Sequence, residues 1–143
     1  MHEIVIVEDS ESDAQVLERT LSTAGVTNPV RYFRNGTEAL FFLQEAERNA
    51  AQGLPTTPAV LFLDLKLPGA SGLEILAAVR NRAAFAGTLR IVLTQFGDFH
   101  SIKKAYVQGA DSFLSKPIKQ EELAELIVVF PRYWLLSSSV PPV

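Results

Sequence analysis

Apolar positions along the chain fall into two alternating kinds of stretch. The first kind is a short, mostly apolar run. Ile4 to Val7, Val60 to Leu63 and Leu89 to Leu93 are the clearest, with weaker versions at Val30 to Phe33 and Phe113-Leu114. Runs of this length bounded by turn residues suit strands buried on both faces of a parallel sheet. The second kind recurs every three or four residues, the spacing that lines one face of an α-helix. It appears as Ala14, Leu17, Leu21 and Ala24, then as Ala39, Phe42, Leu43 and Ala46, and again as Ile75, Leu76, Val79 and Ala83. Ile102, Ala105 and Tyr106, then Leu123, Leu126, Ile127 and Phe130, continue it. Gly25 and Gly109 supply stop signals, and Asp98 is placed to cap the fourth helix. Pro131 lacks a backbone donor and should end the last helix near Phe130.

Strand–helix pairs in strict alternation imply an α/β fold with helices on both faces of a parallel sheet. With right-handed crossovers, we predict a doubly wound, flavodoxin-like arrangement of five strands in the order 2-1-3-4-5. One domain over residues 1–130 accounts for the pattern, and residues 131–143 form an extension. A polar segment with Gly and Pro between Arg48 and Pro58 reads as a long loop.

At 143 residues and 48% hydrophobic composition, the chain can bury a sizeable core. Its net charge of −3 gives no electrostatic case for nucleic acid. No apolar run approaches the roughly 20 residues that span a bilayer, and MHEIVIVEDS lacks the basic region of a signal peptide. The cytoplasm is the expected compartment. Without Cys there is no thiol chemistry, and His2 and His100 stand alone, so no transition-metal site is expected. Neither a P-loop nor a GxGxxG stretch occurs.

Candidate chemistry collects where the strands end. The first run stops at Glu8-Asp9, the third at Asp64, the fourth at Thr94 and the fifth at Ser115-Lys116-Pro117. In the predicted strand order these ends are neighbours, at the edge where open α/β sheets bind ligands. Converging carboxylates repel unless a cation or proton intervenes, and an all-oxygen set suits Mg²⁺. Lys116 and Thr94 could then hold a phosphoryl group from the other side. Taken singly, each of these residues fits a turn, a cap or a solvated charge. Their conjunction at one end of successive strands is what points to a site.

On these residues the chain resembles the receiver domains of two-component response regulators. The resemblance rests on Glu8-Asp9, on Asp64 followed by LKLPGASG, and on Thr94, Phe113 and Lys116-Pro117, and it spans Glu3 to Phe130. It implies phosphotransfer onto Asp64 from a sensor histidine kinase or a histidine phosphotransfer protein. It also implies Mg²⁺ held by Glu8, Asp9, Asp64 and the backbone carbonyl of Lys66, with Lys116 on the phosphoryl group. Thr94 and Phe113 would be the switch pair, and Lys116-Pro117 a cis bond. Glu8 stands where Asp is commoner and Phe113 where Tyr is frequent. Gln95 and Phe96 are bulkier than usual beside Thr94, and Lys66 sits where side chains influence the attacking water.

A narrower resemblance covers the flanks. The loop before the third strand and the ending PRYWLLSSSVPPV are similar to stand-alone receivers that partner phytochrome-type kinases. Trp134 in the cluster Tyr133, Trp134, Leu135 and Leu136 could continue the core stripe of residues 123, 126, 127 and 130, or the cluster, with Val128 and Val129, could form a homodimer contact, the reading we favour. The expected function is a non-enzymatic phosphoacceptor that signals through protein contacts. A phosphorylation-independent dimeric scaffold is the alternative. A phosphohydrolase of the haloacid-dehalogenase type would need a second Asp where Lys66 stands.

Overall fold

The structure is a computed structural model that describes residues 2–54, 56–95 and 97–137. Its strands are β1 (Ile4–Val7), β2 (Val30–Phe33), β3 (Val60–Asp64), β4 (Leu89–Gln95) and β5 (Ser112–Lys116). Its helices are α1 (Glu11–Thr23), α2 (Gly36–Ala51), α3 (Gly72–Val79), α4 (Phe99–Val107) and α5 (Gln120–Val129). The strands form one parallel sheet in the predicted order, β2-β1-β3-β4-β5. No helix among the described residues is long and apolar enough to cross a membrane.

Alternation along each strand divides the core into two layers. Val5, Val7, Leu61, Leu63 and Val92 face Leu43 of α2, Ile75, Leu76 and Val79 of α3 and Ala105 of α4. Ile4, Ile6, Phe62, Ile91 and Leu93 face Leu17 and Leu21 of α1 and Leu123 and Leu126 of α5. Both faces are covered, which is why the strands read as mostly apolar runs. Register then aligns the strand ends: Val7 pairs with Leu63, Asp64 with Leu93, and Gln95 with Lys116.

Several local expectations need correction. The loop drawn from Arg48 is helical as far as Ala51, and Gly53 makes the turn at φ +83°. Ala83 was expected on the inner face of the third helix. That helix ends at Val79, Asn81 takes a positive φ, and Ala83 sits exposed in a 3-10 turn whose Phe85 is buried instead. Tyr106, expected inward, is 44% exposed, although its ring still meets Phe113 edge-on at 6.4 Å.

The largest difference lies after α5. A 3-10 turn, Pro131–Tyr133, follows the helix and directs Trp134 into the second core layer. Its ring lies 6.2 Å from Phe62, and its indole Nε1 donates to the Phe130 carbonyl at 2.7 Å. Trp134 is therefore core and not free surface, whereas Leu135 and Leu136 stay exposed. The backbone beyond it runs antiparallel to the segment after α1, with Thr27 N donating to Leu135 O and Ser137 N to Gly25 O, each at 2.7 Å. Residues 131–137 thus pack against the segment after α1 and the second core layer. Residues 138–143 of the extension, and Phe96, lie outside the described residues.

Candidate functional site

The carboxyl edge of the sheet carries the polar residues picked out by the strand ends. Glu8 continues β1 and is fully buried, while Asp9 beside it is exposed. Asp64, the last residue of β3, accepts from the Lys66 backbone N–H at 3.0 Å, and Glu8 accepts from Ser10 N–H at 3.2 Å. Carboxylate oxygens of Glu8, Asp9 and Asp64 lie within 4.8 Å of one another. Lys116 reaches in from β5 and donates to Asp64 Oδ2 at 2.8 Å. It also pairs with Glu8 Oε1, and with Asp13 Oδ2 at 3.4 Å. Thr94 is buried at the end of β4, and Gln95 is exposed beyond it. Together these groups line an open pocket of about 270 Å³.

The electrostatics follow from this crowding. Burial, then the neighbouring Asp64 carboxyl, pushes Glu8 up to about 8. Burial acts to lower Lys116, but its hydrogen bonds and charge contacts with Asp64 and Glu8 outweigh that and hold it above the ordinary lysine range. The ammonium therefore stays charged, and the carboxylates are left competing for one cation and a proton. A hard divalent cation fits such an all-oxygen donor set, because it would relieve the same repulsion.

The loop after Asp64 is held by the start of α2. Gly36 N donates to Pro68 O at 3.0 Å, and Thr37 Oγ1 accepts from Ala70 N–H at 3.0 Å. A Cβ on Gly36 would lie 1.7 Å from Ala70 O, so only glycine allows this approach. Gly72 is equally constrained, since its Cβ would fall 2.4 Å from the carbonyl oxygen of Asp64.

Glu8, Asp9, Asp64, Thr94 and Lys116, all named from the sequence, line this pocket. Phe113 sits half-buried on the neighbouring strand, packed against the first core layer. Lys116-Pro117 is cis, as expected. Asp98 both caps α4, accepting from Ser101 N–H at 3.3 Å, and lines the pocket. Asp13 escaped the sequence reading. Its signal was the Ser10-x-x-Asp13 spacing of a helix start, which turns residue 13 back toward the cap.

Comparison with known proteins decides the family. The response regulator receiver domain matches residues 4–128. The chain belongs to the response regulator receiver family. It is a receiver domain of the kind used in two-component signalling. This receiver is 29% identical over 132 residues to the probable methanogenesis regulatory protein FilR2 of Methanothrix harundinacea, covering 92% of this chain and 83% of that protein. It is 25% identical over 138 residues to the response regulator Rcp1 of Synechocystis, covering 96% and 92%. Among solved structures, the bacteriophytochrome response regulator RtBRR superposes with a TM-score of 0.80 at 28% identity, over 99% of this chain and 85% of that one.

Proposed function

We propose that this receiver accepts a phosphoryl group on Asp64 from a sensor histidine kinase or a histidine phosphotransfer protein. The carrying observation is Lys116 Nζ, 2.8 Å from Asp64 Oδ2 and buried among carboxylates at the mouth of the sheet. An Asp64 oxygen attacks phosphorus, an O–P bond forms, and the P–N bond of the donor phosphohistidine breaks to release imidazole. Lys116 turns from the carboxylates to the phosphoryl oxygens, and the Thr94 hydroxyl donates to another of them. Phe113 turns into the space that Thr94 leaves, which alters the surface around β5. Glu8, Asp9, Asp64 and the Lys66 carbonyl would hold Mg²⁺, which when bound neutralises charge on the phosphoryl oxygens.

The protein is not itself an enzyme in this reading; its output is a change of protein contacts. Likeness to RtBRR supports a phytochrome-type kinase as the donor. Exposed Val128, Val129, Leu135 and Leu136 support a homodimer. The cytoplasm is the proposed compartment, where ATP supplies the kinase.

Incubation with Mg²⁺ and acetyl phosphate tests the reading. Intact-mass spectrometry should show one phosphoryl group, localised to Asp64 and lost in Asp64→Asn. An unlabelled but folded protein would instead favour the phosphorylation-independent scaffold, and rapid turnover of the donor would favour a hydrolase.

A further inference from the structure

Lys116 is held by one carboxylate more than the phosphoacceptor reading needs. Glu8 and Asp64 belong to the acidic set already described. Asp13 does not. It stands in the first turn of α1, its Oδ2 lies 3.4 Å from Lys116 Nζ, and its side chain is 42% exposed against 9% for the lysine. Asp13 therefore approaches Lys116 from the solvent side of the pocket that both line. Asp98, another pocket acid outside the trio, is engaged in capping α4.

We propose that Asp13 restrains the loading of Asp64, acting as a positioning residue through Lys116. The inference rests on the phosphoacceptor reading above. Before transfer, Asp13 takes part of the ammonium that must turn to the phosphoryl oxygens, and its own charge repels the incoming anion. Both effects oppose the transfer step, in which the donor bond to phosphorus breaks as the Asp64 O–P bond forms. After transfer, the same repulsion acts on the bound phosphoryl group and on its attack by water. The two largely cancel, so Asp13 governs how fast the site fills more than how long it stays filled. A purely structural Asp13, favouring the positive end of α1, would affect melting and leave the loading rate alone.

The test follows Asp64 phosphorylation of the full chain by intact mass, with Mg²⁺ and acetyl phosphate. Wild type, Asp13→Asn and Asp13→Glu are compared, and phosphoprotein decay is measured after the donor is removed. Asp13→Asn should load roughly two- to fivefold faster, the range carried by a partly solvated charge pair. Asp13→Glu, which keeps the charge, should load at the wild-type rate, and decay should be the same in all forms. The advantage of Asp13→Asn should shrink in about 0.5 M salt, because screening weakens partly exposed pairs. Equal loading of wild type and Asp13→Asn overturns this inference alone, as does decay that accelerates in step with loading. Failure of the wild type to load at all overturns the phosphoacceptor reading and this inference with it.

Discussion

The two ends of the sheet are both closed by polar groups, and they are closed in opposite ways. At the amino end, Asn28 is buried with both functions of its amide used. Its Nδ2 donates to the carbonyls of His2 at 2.6 Å and Tyr133 at 3.1 Å, and its Oδ1 accepts from Leu135 N–H at 2.7 Å. Trp134 seals the layer beneath it. These groups are neutral, and the Asn28 amide is satisfied by the protein itself. At the carboxyl end, Lys116 is shared among Glu8, Asp64 and Asp13, and the proton balance of Glu8 is disturbed. A buried charge cluster is costly unless fully paired. One end holds the fold together; the other is kept short of positive charge, which is what a cation would exploit.

This contrast makes separable predictions. The largest effect belongs to the carboxyl end: Asp64→Asn should abolish phosphoryl incorporation from acetyl phosphate while circular dichroism reports an intact fold. Trp134→Ala should cost about 3–5 kcal/mol in denaturant unfolding, the usual penalty for emptying an aromatic core site. Under conditions where that variant stays folded, it should still load Asp64 at the wild-type rate. If loading collapses with stability, the two ends are not independent and the contrast fails.

Asn28→Ala is a smaller break in the same clasp. It leaves the Leu135 N–H and two carbonyls to find new partners, at about 1–3 kcal/mol. Proteolysis should then cut first near residues 131–137. A clasp that survives the substitution unchanged would mean that Trp134 and the backbone bonds to Gly25 and Thr27 secure the extension.

A further effect is a slope with pH. Glu8 binds its proton more tightly in the folded protein, at about 8 against an ordinary 4.5. Its contribution to stability is therefore complete below 4.5 and declines as pH rises toward 8, because the unfolded state releases the proton first. Denaturation of metal-free protein across that range should show falling stability, and Glu8→Gln should flatten the fall. An unchanged slope in Glu8→Gln would place the proton elsewhere in the cluster.

The fold was legible because its signals are local. Mostly apolar runs reported strands covered on both faces, and the Glu8-Asp9, Asp64, Thr94 and Lys116 positions each ended one. Elements misread were those decided by neighbours. Ala83 fits helical spacing, yet Asn81 breaks the helix and Phe85 competes for the same core space. Tyr106 keeps an inward spacing but lies edge-on to Phe113 at the surface. Trp134 looked like a surface anchor because a 3-10 turn, not a continued helix, carries it to Phe62.

What the sequence by itself determined is the alternation of strands and helices, their order in the sheet and the identity of the strand-end residues. Periodicity and handedness act along the chain, and they leave few topologies open. Only the tertiary structure decided how charge is shared at Lys116, that Asp13 joins it, and that Trp134 completes the core. Those outcomes depend on distances between segments far apart in sequence, and electrostatic and packing energies change steeply over a few ångströms.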